Sequence, residues 1–252
     1  HGCRMPSISP DGEKLAYVEQ VNHSLAIRIS DCDGRNVRTL TEGGMNLIPS
    51  WFPDSEQLVW MKVNPQPKQD PARNAQIYTM DVGTRKLRRL FTEKEQLKYS
   101  NAMPVISPKG DRVAFVSNRS GEMRVWVSAL DGSDAKLVSK PVKSYHDEIN
   151  APFEQKVPTW SPDGKWIAHW EGVEMTHMSQ FTGIPNPRRD QMIASTFSVW
   201  VVGVNGEDRR RIGRGDDPTW SPDGFVTRAF PDPSRGGPVV IVQTLKGEKM
   251  LP

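Results

Sequence analysis

The sequence predicts an all-β chain of short antiparallel strands, and three observations carry that prediction. A Ser-Pro-Asp-Gly type of turn recurs five times, an alternating apolar stretch follows each copy, and proline and glycine fall where a helix would break. The copies are Pro6-Ser7-Ile8-Ser9-Pro10-Asp11-Gly12, Pro49-Ser50-Trp51-Phe52-Pro53-Asp54-Ser55, Pro104-Val105-Ile106-Ser107-Pro108-Lys109-Gly110, Pro158-Thr159-Trp160-Ser161-Pro162-Asp163-Gly164 and Pro218-Thr219-Trp220-Ser221-Pro222-Asp223-Gly224. Their turn prolines set a repeat of 43 to 60 residues. Four short antiparallel strands in a unit of that length predict a propeller blade, so five copies predict a five-bladed β-propeller. A lone four-stranded sheet leaves its faces uncovered, and radial stacking of blades covers them.

Each part of the unit has a physical reason. The run before the turn, such as Thr159-Trp160-Ser161, is a first strand whose large side chain faces a neighbouring blade. In the turn, proline presets φ near −65°, aspartate bonds its own backbone and glycine accepts positive φ. The second strands are Leu15-Ala16-Tyr17-Val18, Leu58-Val59-Trp60-Met61, Val113-Ala114-Phe115-Val116 and Trp166-Ile167-Ala168-His169. Third strands follow, such as Ala26-Ile27-Arg28-Ile29 and Val199-Trp200-Val201-Val202, and end in turns at Asp33-Gly34, Asp131-Gly132 or Asn205-Gly206. A fourth strand, such as Val37-Arg38-Thr39-Leu40, closes the unit. The blades fall at about 1–45, 46–99, 100–141, 142–213 and 214–252 of a single propeller domain, with a sixth blade expected if the chain is a fragment.

Composition narrows the class. Hydrophobic residues at 36% and charged residues at 25% suit a soluble globular protein, and no stretch approaches the length of a membrane span. The net charge of +3 is small. The basic runs Arg85-Lys86-Leu87-Arg88-Arg89 and Arg209-Arg210-Arg211 are expected on water-exposed outer strands, which argues against a nucleic-acid footprint. Two cysteines, Cys3 and Cys32, are too few for a disulfide framework and are expected at opposite ends of a blade.

The units Ser117-Asn118-Arg119-Ser120-Gly121, Val125-Trp126-Val127 and Asp131-Gly132-Ser133, with the Leu40-Thr41 ending, resemble blades of the TolB-like (PD40, WD40-like) propeller family. The resemblance covers nearly the whole chain. Asp54-Ser55 and Lys109 depart from the family turn, and the fourth blade carries a long insertion. Members of the family include periplasmic scaffolds, propellers attached to peptidases and sugar-acid lyases similar to oligogalacturonate lyase. The resemblance therefore implies fold more strongly than function. It implies a periplasmic or extracellular setting.

The distribution of segment lengths points to a site. Tight turns follow the first and third strands. The lengthy segments follow the second and fourth: Lys62 to Ala75, Thr92 to Ala102, Lys140 to Lys156, Glu171 to Thr196 and Pro231 to Gly237. Up-and-down topology then places them on one rim, at the mouth of the axial channel, although surface loops also tolerate neutral insertion. Two of them, Tyr145-His146-Asp147-Glu148 and the run from His169 through Trp170, Glu171 and Glu174 to His177, hold three of the five histidines. His146, His169 and His177 could hold a divalent metal, and His146, His177, Glu171 and Glu174 could serve as acid and base on a sugar. Solvated loop residues are the plain alternative. Arg188 or Arg189 could grip a uronate carboxylate. Just before the first strands stand Met5, Ile48, Met103, Val157 and Asp217; a single carboxylate among them speaks against a glycosidase of the paired-carboxylate kind.

The candidate ligand-binding set is thus Tyr145, His146, His169, Trp170, Glu171, His177, Arg188, Arg189 and Asp217. The leading expectation is a non-catalytic module that binds a protein segment or a carbohydrate. The alternative is a metal-assisted lyase of uronate oligosaccharides, which the family resemblance brings in.

Overall fold

A computed structural model of the chain describes residues 3–63, 75–92, 98–121, 123–139, 153–173, 198–224, 226–232 and 237–243. Every regular element there is a strand. The first repeat forms β1 (Arg4–Ile8), β2 (Lys14–Val21), β3 (Ser24–Asp31) and β4 (Arg38–Thr39). The second forms β5 (Met45–Trp51), β6 (Gln57–Val63), β7 (Ala75–Asp81) and β8 (Leu87–Arg89). The third forms β9 (Asn101–Ile106), β10 (Arg112–Ser117), β11 (Arg124–Ala129) and β12 (Lys136–Leu137). The fourth forms β13 (Phe153–Trp160), β14 (Trp166–Val173), β15 (Ser198–Gly203) and β16 (Arg210–Arg214). The fifth forms β17 (Asp216–Trp220), β18 (Val226–Asp232) and β19 (Gly237–Gln243); the expected last strand, 247–252, lies outside the described residues.

Pairing runs antiparallel from each strand to the next within a repeat. A single parallel bridge, Leu25 to Met45, joins the first two sheets into one of eight strands. The fold is the all-β propeller fold that the repeat predicts. Two compact units emerge, His1–Gly121 with Trp126–Lys136, and Glu122–Val125 with Leu137–Pro252.

Within the first unit, sheets pack face to face. Ala16, Ile27, Ile29 and Leu40 of the first sheet meet Trp51, Leu58, Trp60, Met80 and Val82 of the second. On the other side of the second sheet, Phe52, Val59, Ile77 and Phe91 meet Ile106, Val113 and Phe115. Period-two geometry makes this possible, since Leu58 and Trp60 point one way from β6 and Val59 the other. A fully buried side chain of this size contributes about 1.5–3 kcal/mol. In the second unit, Ala168, Trp170, Val199 and Val201 form the equivalent layer with Val226.

The turns reward the repeated sequence. Ser161 Oγ donates to Asp163 and accepts from Trp166 N at 2.9 Å; Ser9 does the same with Asp11 and Lys14. These bonds hold the Asp11 and Asp163 carboxyls below their ordinary pKa, the serine hydroxyl being the largest cause. Both departures from the family turn are compensated. Where Lys109 replaces aspartate, Asp111 takes the Ser107 hydroxyl at 2.8 Å. Where Ser55 replaces glycine, φ remains at 59°, and its hydroxyl accepts from Asp11 N in the neighbouring turn at 3.1 Å. The first-strand tryptophans dock as expected: Trp51 Nε1 donates to Ser7 O at 3.0 Å in the first unit, and Trp220 Nε1 to Thr159 O at 3.2 Å in the second. Cys3 and Cys32 are free and exposed.

Candidate functional site

Every first strand carries a β-bulge at the same place. In each, the residue before the motif proline and the proline itself oppose one residue of the second strand. Met5-Pro6 faces Tyr17, Ile48-Pro49 faces Trp60 and Met103-Pro104 faces Phe115 in the first unit. Val157-Pro158 faces His169 and Asp217-Pro218 faces Arg228 in the second. Met5, Ile48, Met103 and Asp217 have φ of 52°, 54°, 53° and 42°. For a β-branched residue such as Ile48 that conformation costs about 1–3 kcal/mol and persists only where surrounding structure enforces it. Met5, Ile48, Met103, Val157 and Asp217, expected just before the first strands, therefore lie within them, at the bulge.

The bulge explains where His169 sits. It occupies the position held by Tyr17, Trp60 and Phe115, which is a core position, and it is fully buried. The sequence places Glu171 at the start of a loop. The structure instead runs β14 on to Val173 and buries Glu171 at 2% exposure. The strand can continue because the charge is matched. Glu171 Oε1 lies 2.9 Å from His169 Nε2, and Glu171 Oε2 accepts from Arg209 Nη2 at 2.6 Å. An Nε2–H donor is the tautomer that suits an ionised Glu171. Arg209 stacks on Trp200 at 3.5 Å, and Trp200 is the cross-strand partner of His169. Arg209 therefore corrects a second expectation: it is not a fully water-exposed member of its basic run but is only 16% exposed. The Nδ1 atom of His169 is buried without a hydrogen-bond partner among the described residues. Trp170 points to the opposite face, into the apolar layer.

A matching arrangement organises the first unit. Arg119, from the Ser-Asn-Arg-Ser-Gly loop, lies over four rings: Phe115 at 4.8 Å, Trp126 at 5.2 Å, and Phe91 and Tyr99 at 5.9 Å. It donates to Asn101 Oδ1 at 2.9 Å and Ser117 Oγ at 3.3 Å. Burial lowers its pKa from the ordinary guanidinium value, and Tyr99 opposes the shift. Fully buried Asn101 and Asn46 hold equivalent positions two residues before the bulge. Asn46 receives Trp60 Nε1 at 3.0 Å and ties down Gly43 O and Leu25 O. Gln76 donates to Tyr99 O at 2.8 Å, and Ser100 Oγ accepts from Ala75 N at 3.2 Å. This network anchors the strand ends from which residues 64–74 and 93–97 depart.

Of the residues singled out in the sequence, His169, Trp170, Glu171 and Asp217 are thus placed, with Asp217 exposed on its bulge. Tyr145, His146, Glu174, His177, Arg188 and Arg189 lie outside the described residues. Arg209 and the Arg119 cage were missed. The detectable signals were the aromatic alternation across β14 and β15 for the first and the loop motif for the second. Among the described residues no group of three or more His, Cys, Asp and Glu side chains is placed to hold a metal ion, and no helix is long and apolar enough to cross a membrane.

Face-to-face packing of four-stranded sheets with bulged first strands defines a propeller of the Ser-Pro-Asp-Gly class. A family model described as the TolB beta propeller domain (PD40) matches residues 3–197, and the chain belongs to that family. An uncharacterized protein of Agrobacterium fabrum is 24% identical over 237 residues, covering 89% of this chain and 69% of its own length. The Tol-Pal system protein TolB of Francisella tularensis is 24% identical over 254 residues, covering 87% of this chain and 54% of its own. The crystal structure of TolB from Acinetobacter baumannii superposes with a TM-score of 0.66 at 20% identity, over 98% of this chain and 52% of that one. The chain thus spans about half the length of these two TolB proteins.

Proposed function

We propose that this chain is a non-catalytic binding propeller of five blades, and that its long connections hold a segment of a partner protein. One observation carries the reading, the one-sided placement of chain length. In the second unit, β13 to β14, β15 to β16 and β17 to β18 are joined by turns as short as Trp160 to Trp166. Residues 174–197 instead join β14 to β15 at the other end of that sheet, the end at which β13 begins after residues 140–152, and a rigid scaffold that lends its length to one side is built to present it. The buried Glu171 network fixes the strand from which 174–197 departs. The assembly named for the Francisella relative supports a protein partner over a carbohydrate, and the TolB resemblance supports a periplasmic setting.

Tyr145, His146, His177, Arg188 and Arg189 supply the contact residues in this reading. Replacing 140–152 and 174–197 by short Asn-Gly links should abolish capture of a discrete partner from periplasmic extract while the melting temperature holds. Retained capture would refute the role of the connections. The metal-assisted lyase reading shares only its fold with oligogalacturonate lyase. Turnover of uronate oligomers to an unsaturated, absorbing product, lost on His146→Ala and His177→Ala, would replace the binding reading with it.

A further inference from the structure

The outer strands carry a pattern that the binding rim does not use. Cross-strand register aligns Arg38, Arg88 and Arg210 at one position: Arg38 opposes Ile29, Arg88 opposes Thr79 and Arg210 opposes Val201. A cation therefore recurs at that place on β4, β8 and β16. In the first unit these cations merge into a strip. Arg85 Nη2 donates to Thr39 O at 3.0 Å and Leu40 O at 3.4 Å, which brings the β8 hairpin onto β4. Arg38, Arg85, Lys86, Arg88 and Arg89 are all exposed. Arg89 is engaged by the neutral Tyr78, donating to its hydroxyl at 3.2 Å. None of the five forms an ion pair with a carboxylate of the described residues; the nearby Asp33 is taken by Arg35 and Asp81 by Thr84.

Two aliphatic side chains stand in this strip. Val37 is 44% exposed and Leu87 51%, one residue before Arg38 and Arg88 respectively. Charges alone would blunt a sheet edge against strand addition, and for that purpose an exposed valine and leucine are unhelpful. A polyanion in water would likewise gain nothing from them. Cations without counter-charges among the described residues, beside aliphatic tips, suit one environment, the boundary between anionic headgroups and acyl chains.

We propose that the outer edge formed by β4 and β8 docks on an anionic lipid surface, with Arg38, Arg85, Lys86, Arg88 and Arg89 against the headgroups and Val37 and Leu87 at the acyl boundary. The proposal does not rest on the partner-binding reading, because it uses the outer strands and not the long connections. Vesicles of phosphatidylglycerol and phosphatidylcholine should sediment the chain, vesicles of phosphatidylcholine alone should not, and salt at about 0.5 M should release it. Arg88→Gln with Arg89→Gln should weaken binding about fivefold for each arginine removed. Leu87→Ser should weaken it further without changing the salt dependence. Lys109→Gln with Lys165→Gln removes the same charge from tight turns and should leave binding unchanged; all variants should melt with the parent. Equal losses in the two charge variants, unaltered binding after Arg88→Gln with Arg89→Gln, or retention of a soluble oligonucleotide in place of phosphatidylglycerol vesicles would each overturn the proposal. A variant with its long connections shortened should still bind the vesicles, which separates this surface from the partner site.

Discussion

Arg119 in the first unit and Glu171 in the second are both charges withdrawn from water, and they are stabilised by opposite means. Glu171 is met by charge: Arg209 donates to one oxygen and His169 lies against the other. Arg119 is met by four aromatic faces, an amide oxygen and a hydroxyl, with no carboxylate against it among the described residues. An ion pair fails when one member is removed, because the survivor stays buried. A cage of neutral groups loses its contributions piecemeal. Two repeats thus tolerate charge near the end of the second strand through two different physical arrangements.

The largest test breaks the ion network. Glu171→Ala should cost about 3 kcal/mol in urea denaturation, because Arg209 keeps its place over Trp200 without a counter-charge. Glu171→Gln with Arg209→Gln should recover more than about 1 kcal/mol relative to the summed single losses in a double-mutant cycle. Next, Arg119→Lys should cost about 1–2 kcal/mol by losing the planar stack while keeping the charge. A neutral result would mean that the cage needs only a cation, and the contrast with Glu171 would shrink.

A smaller change probes what the two units share. Trp51→Phe and Trp220→Phe each remove one indole donor to a carbonyl of the neighbouring first strand and should each cost about 1 kcal/mol. Unequal costs would show that the units are not built alike. The smallest effect is acid sensitivity at the turns. The Asp11 and Asp163 carboxyls have lowered pKa values when folded, so the unfolded chain takes up protons first as pH falls. Their contribution is fully present above about pH 5 and is lost progressively as the pH falls through the lowered folded value. Asp163→Asn should flatten that part of a melting-temperature profile.

The contrast also marks what the sequence could disclose. The turns were legible because their chemistry is local: Ser161, Asp163 and Gly164 meet within a few residues. The docking of Trp51 followed from its repeated position. The role of His169 was not legible, since a histidine beside two carboxylate-bearing segments reads as a ligand until the bulge shows that it stands where Trp60 and Phe115 stand. Arg209 lies 38 positions from Glu171, and only strand register brings them together. Lys109 departs from the family turn, and the part played by Asp111, which takes the Ser107 hydroxyl instead, shows only in the structure.

The two-against-one bulge has a further consequence for change over time. The residue before each motif proline stands outside the alternation that assigns its strand's other side chains to a face. Met5, Ile48 and Met103 can therefore be exchanged without re-phasing the strand, while Tyr17, Trp60 and Phe115 opposite them are locked into the interior; Val157 stands likewise opposite buried His169, and Asp217 opposite Arg228. The fold keeps an interchangeable set of fittings along its first strands, an apolar residue in one repeat and an acid in another, each within the backbone cost that a positive φ imposes.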